Sequence, residues 1–61
     1  MTPSKLLIAQ RLLESAHELR AIVALMGEYT RDDIAWAHVA RELAAAADTS
    51  QWWANEIRAE R

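Results

Sequence analysis

The fold is decided by residues 9–26, which read AQRLLESAHELRAIVALM. Apolar side chains recur in this stretch at alternating steps of three and four residues, the pattern of a helix that packs along one seam. Thr2 and Pro3 are the predicted N-cap and first helical residue, and Gly27 is the predicted stop. We therefore predict a long first helix whose seam consists of Ala9, Leu12, Ala16, Leu19, Val23 and Met26.

A second helix of medium length is predicted to begin at Thr30. Thr30 and Asp33 have the spacing of a capping box, with Asp in place of the usual Glu or Gln. Four consecutive alanines, residues 44–47, favour helix and allow another helix to approach closely. The predicted apolar face of this helix consists of Trp36, Val39, Ala40, Leu43 and Ala47.

A break is predicted at residues 48–50, because Asp, Thr and Ser are all favoured helix N-caps. A short C-terminal helix then begins at about Gln51, with Trp53 and Ile57 facing inward. Trp52 projects about 100° away from Trp53, so the two rings do not share one narrow stripe. The prediction is an all-α single domain over residues 1–61, with one long, one medium and one short C-terminal helix.

The composition favours a second subunit. Hydrophobic residues make up 52% of the 61 residues, but 13 of them are alanine, and there is no Phe. Chains this small usually need disulfides, a metal or oligomerisation to supplement their core, and the absence of Cys excludes disulfides and thiolate metal sites. We expect a helical-bundle homodimer built on the first helix. Its expected protein-interface residues are Leu12, Leu19, Val23, Met26 and Trp52.

The charge balance argues against a strong non-specific nucleic-acid binder, because nine acidic and seven basic residues leave a net charge of −2. No apolar run reaches 18 residues, so no membrane span is expected. The N-terminal residues do not have the basic and apolar regions of a secretory signal. We therefore expect a cytoplasmic location.

Residues 35–43 and 50–58, which read AWAHVAREL and SQWWANEIR, resemble the helix-turn-helix of small bacterial DNA-binding regulators. Trp36, Val39, Leu43 and Ser50 match the pattern, and Ala40 matches the small residue that lets the second helix cross closely. The sequence departs from the family in residues 44–48, which add about one helical turn where the family has a tight turn with Gly. The resemblance implies a transcription regulator that binds DNA through its C-terminal helix.

The residue types on that helix suit DNA recognition. Gln51, Asn55 and Arg58 are spaced to share one side, and such side chains pair with adenine or guanine edges. Ser50 and the helix N-terminus are candidates to hold a phosphate. The simpler interpretation is a solvated polar face, because the same segment contains Asp48, Glu56 and Glu60.

A protein-interaction adaptor or inhibitor is the alternative function, with Trp52 and the apolar face of the first helix as its binding surface. An enzyme is not expected, because no nucleophile has a paired base and one Gly cannot form a phosphate-binding loop. Glu14 with His17, and His38 with Glu42, have spacings found in di-metal bundles but are more simply surface pairs. We therefore expect no metal, no cofactor and no small-molecule substrate, and the partner is either DNA or a protein.

Overall fold

The computed structural model describes residues 2–60, and these form three helices: α1 (Lys5–Leu25), α2 (Gly27–Thr30) and α3 (Ile34–Ala59). α1 and α3 pack as a hairpin, and the chain forms a rod of 46 × 17 × 15 Å. The expectation of an all-α chain with three helices is confirmed. The order of lengths differs from the prediction, because the short helix lies in the connection and not at the C-terminal end. None of the described helices is long and apolar enough to cross a membrane.

α1 begins after Ser4, so its N-cap and first helical residue each lie two residues beyond the predicted Thr2 and Pro3. The backbone of Ser4 is extended, and its hydroxyl accepts a hydrogen bond of 3.0 Å from the backbone N–H of Leu7, which satisfies an amide that the first turn leaves free. The helix ends at Leu25, close to the predicted stop. Gly27 does not adopt a left-handed conformation and instead opens α2, so the glycine terminates nothing by its own geometry.

α3 begins at Ile34, and the predicted start at Thr30 is wrong by four residues. Asp33 is the N-cap, because its carboxylate accepts hydrogen bonds from the backbone N–H groups of Ala35 at 2.9 Å and Trp36 at 3.3 Å. Thr30 is instead the last residue of α2, where its hydroxyl donates to the carbonyl oxygen of Gly27 at 3.0 Å. The helix start is therefore set by Asp33, whose side chain accepts hydrogen bonds from two free backbone amides, and not by Thr30, the first residue of the predicted capping box.

The predicted break at residues 48–50 is also wrong, because α3 is unbroken from Ile34 to Ala59. The Thr49 hydroxyl donates to the carbonyl oxygen of Ala45 at 3.0 Å, a bond made within a continuous helix. The Asp48 carboxylate accepts from the guanidinium of Arg20 at 3.0 Å and so does not cap a new helix. The turn that a helix-turn-helix requires is therefore not formed within residues 35–58.

Two pairs of alanines form the contact between the long helices. Ala9 and Ala16 on α1, and Ala47 and Ala54 on α3, are buried and are seven residues apart on each helix. The inter-helix ion pairs Lys5–Glu60 and Arg20–Asp48 show that the helices run antiparallel. The residues that lie at the same level on the two helices follow by interpolation between these ion pairs. Two larger, half-buried side chains of α1 lie at about the levels of the α3 alanines: Leu12 with Ala54, and Leu19 with Ala47.

The seam predicted for α1 is therefore real, but α3 of the same chain covers it. α3 has 26 residues and α1 has 21, so the unbroken helix reaches along the whole seam. The sequence-based reason for a dimer, an uncovered seam on the first helix, does not hold. Trp53 was expected to face inward but is 53% exposed, because its neighbour Ala54 occupies the contact.

Enlarging a seam alanine should force the helices apart. We expect Ala47→Leu to lower the free energy of unfolding by about 1–3 kcal/mol, since no space exists for the added atoms. Ala45→Leu, at an exposed position of the same helix, is the matched control and should change stability little. Urea unfolding followed by circular dichroism measures both, and equal effects of the two substitutions would contradict the alanine contact.

The direction of the stability change caused by Thr49→Ala tests whether α3 is continuous. In an unbroken helix Thr49→Ala should leave stability unchanged or raise it by up to about 0.7 kcal/mol, because alanine has the higher helix propensity. If Thr49 were a capping residue, the same substitution would instead cost about 1 kcal/mol. Thermal and urea unfolding of the two proteins distinguish these outcomes, and a clear loss of stability would count against the continuous helix.

Candidate interaction surface

The alanine contact divides the surface of the hairpin into two broad sides. On both helices, the residues one position before and three positions after a seam alanine lie on the same flank. Two antiparallel helices are related by a two-fold axis perpendicular to the plane that contains them. Residues at the same offset from the seam positions therefore lie on the same side of the hairpin in α1 and in α3. Residues 23, 33 and 40 continue the seven-residue spacing of these alanines, and the same offsets apply to them. We call this side the apolar face; its large apolar side chains are Ile8, Leu12, Leu19, Ile22, Trp36, Val39, Leu43, Trp53 and Ile57.

Large side chains of the apolar face are open to solvent. Ile22 is 38% exposed, Val39 and Trp36 are 46% exposed, and Trp53 is 53% exposed. Trp36 also stacks at a tilt on Tyr29, with ring centroids 5.5 Å apart, and a shallow depression of about 190 Å³ lies over Ala35, Trp36 and Val39. Exposed apolar side chains grouped on one side in this way are typical of an interaction site.

The charges of the apolar face lie at one end. Lys5 and Glu60, whose charged groups are 3.3 Å apart, are at the end formed by the N-terminal turn of α1 and the C-terminal end of α3. Within the helical segments 8–25 and 34–57, the same two offsets place only uncharged side chains on this side of the hairpin. Near its middle they are small: Ser15, Ala46 and Ser50.

We call the opposite side the polar face. It consists of the residues one and four positions after the seam alanines and after the positions that continue their seven-residue spacing. Its polar members are Gln10, His17, Arg20, Arg41, Asp48, Gln51, Asn55 and Arg58. The Arg20–Asp48 ion pair spans the two helices on this side, as the assignment of the faces requires. Three arginines against one aspartate make the polar face basic, although the whole chain has a net charge of −2.

The residues proposed for DNA contact are divided between the two sides. Gln51, Asn55 and Arg58 share the polar face, as their helical spacing requires; Gln51 is half-buried, and the other two are exposed. Ser50 lies on the apolar side in the middle of α3, so its amide is within the helix and not at a free N-terminus. The predicted phosphate site at Ser50 is therefore not formed.

The residues proposed for a protein interface are likewise divided. Leu12, Leu19 and Val23 are half-buried, and Met26 is only 7% exposed, so the seam they form lies against α3. Trp52 is exposed on the outer surface of α3, and its ring meets that of Trp53 edge to face, with centroids 4.7 Å apart.

The sequence-based prediction placed Ile8 and Ile22 in a widened apolar stripe of the first helix, without separating them from the seam, and placed Trp53 inside. A signal for all three was present in the sequence, since an apolar residue precedes Ala9, Val23, Ala40 and Ala54, the positions that continue the seven-residue spacing. This recurrence places the apolar residues beside the seam and not within it.

The acidic members of the pairs with metal-ligand spacing contact neighbouring side chains of the same helix. Glu14 accepts hydrogen bonds from Arg11 and Gln10, each at 3.3 Å, and the ring of His38 lies 3.7 Å from the Glu42 carboxylate. Within residues 2–60 there is no group of three or more His, Cys, Asp or Glu side chains that could hold a metal ion.

No protein-family model, curated protein or solved structure matches this chain. The apolar face and the polar face are the features from which its function is inferred.

Proposed function

We propose that the protein is a non-enzymatic helical binding module that attaches to another protein through its apolar face. The observation that supports this most strongly is the set of half-exposed Trp, Ile and Val side chains along one side of the hairpin. Covering apolar surface is favourable by about 25 cal/mol for each Å² removed from water. A partner that covers this side therefore gains free energy that the single chain leaves unrealised.

The spacing of the apolar face suits a helical partner. Its side chains recur on each helix at steps of three, four and seven residues, which forms the ridges and grooves that another helix packs into. Trp36 and Trp53 lie towards opposite ends of the face, and tryptophans are the residues that most often dominate binding energy at interfaces. Both are about half exposed, so each has ring surface available for a partner.

A photo-crosslinking residue in place of Trp53 tests this proposal in the cells that produce the protein. We expect covalent adducts with protein from position 53, because this position lies in the proposed contact. The same crosslinker in place of Asn55, two residues away on the polar face, is the matched control and should give few adducts. Adducts of equal yield from both positions, or none from position 53, would contradict the proposal.

DNA binding through the polar face is the second candidate function, and the excess of arginine on that side favours it. Arg41, Asn55 and Arg58 lie along about 25 Å of α3 at 1.5 Å per residue, a length that fits a DNA groove. In this form of the regulator hypothesis, one continuous helix takes the place of the helix-turn-helix. The Arg20–Asp48 ion pair and the overall charge of −2 reduce the electrostatic attraction.

A gel-shift series at several salt concentrations tests the second candidate. If Arg58 contacts a base, Arg58→Ala should weaken specific binding by about 1–3 kcal/mol, and added salt should weaken it further through counterion release. Ile22→Ala, on the opposite side, should leave the shift unchanged. The absence of any shift at low salt and high protein concentration would exclude this candidate.

A further inference from the structure

We infer that the occupant of the apolar face is a second copy of this chain, so that two hairpins pack face to face as a four-helix bundle. This inference rests on the proposed function and names its partner. It replaces the dimer expected from the seam of α1, because that seam is already covered within the chain. The interface now consists of side chains that the single hairpin leaves half exposed.

The size of the face matches what a stable dimer buries. The broad side of the rod measures 46 by 17 Å, an outline of about 780 Å². Specific protein–protein interfaces bury about 800 Å² on each partner. A second copy of the same length can cover this whole outline, whereas a single short helix would leave part of the face uncovered.

The small core of the single hairpin also points to a second copy. Its buried hydrophobic residues within residues 2–60 are four alanines and Met26, and none of the larger side chains is fully buried. Chains of this length seldom obtain enough stability from one core alone. A second copy would bury Trp36 and Trp53 of both chains, and the association would then contribute to folding.

The arrangement of residues on the face is self-complementary. Small side chains, Ser15 and Ser50, lie near its middle beside the half-buried Leu19, whereas Trp53 lies towards one end and Trp36 towards the other. A two-fold rotation can place middle on middle, which brings the small residues of the two chains together. Residues 8–25 and 34–57 place no charged side chain at the two offsets of the face, so no like charges meet along its middle, and Arg11, Glu14 and Glu18 lie at its border beside Ser15 and Leu19.

Sedimentation equilibrium with a pair of matched substitutions tests the inference. The unmodified chain should have about twice its mass of 6.9 kDa at tens of micromolar concentration. Ile22→Glu places a carboxylate within the interface and should raise the dissociation constant at least about a hundredfold. Ala24→Glu, two residues further along the same helix but exposed on the polar side, should leave the mass unchanged.

Thermal unfolding of the unmodified chain keeps the test decisive if Ile22→Glu does not fold. Its melting temperature should rise with protein concentration, because unfolding of a dimer releases two chains. A monomer with concentration-independent melting would overturn the inference, and so would assemblies larger than a dimer. Dissociation by Ala24→Glu and not by Ile22→Glu would assign the contact to the other side and overturn it as well.

The photo-crosslinks from position 53 separate failure of this inference from failure of the proposed function. A monomeric protein whose position 53 crosslinks to a different protein would retain the proposed function and lose the second copy as partner. A monomeric protein without crosslinks from position 53 would lose both. An adduct of two chains of this protein supports both.

Discussion

The contact of Ala9 and Ala16 with the helix that carries Ala47 and Ala54 is the constraint on which the rest of the structure depends. A seam built on methyl groups allows helix axes to approach towards the lower end of the usual range, about 8 Å. The four alanines are fully or almost fully buried in this contact, whereas larger side chains beside them, such as Leu12 and Trp53, are half-buried or exposed. These larger side chains lie on the flank of the seam, where they form the apolar face, and the buried core of the single chain remains small.

The sequence was sufficient to predict the seam of α1, because helical periodicity is a local property that its six apolar residues display directly. It was not sufficient for α3. Asp48 and Thr49 favour caps when considered alone, yet the structure engages Asp48 with Arg20, 28 positions away in sequence, and Thr49 with the preceding turn. The contact between Asp48 and Arg20 is tertiary and cannot be identified from local preference, whereas Thr49 bonds to its own helix in the continuous α3. The inward prediction for Trp53 failed because hydrophobicity favours Trp over Ala54, whereas close helix packing favours the smaller residue.

The candidate sites show the same division. The common side of Gln51, Asn55 and Arg58 followed from spacing alone and is present in α3. The role of Ser50 depended on a helix N-terminus that is not formed, so it could not be established from spacing. The apolar face depends on which helix covers the α1 seam, and this became clear only from the antiparallel register. An apolar side and a basic polar side of one rod give the protein two distinct surfaces, of which the first accounts better for its exposed Trp and Ile residues.

The most direct test of this account is the distance between spin labels at His38 and Glu56, both exposed on α3, in labelled chains diluted with unlabelled protein. A continuous helix separates these positions by about 27 Å along its axis, at 1.5 Å per residue. The account predicts one narrow distance distribution near that value. A markedly shorter or bimodal distribution would show a bend at residues 48–50, and both the alanine contact and the apolar face would then be wrong.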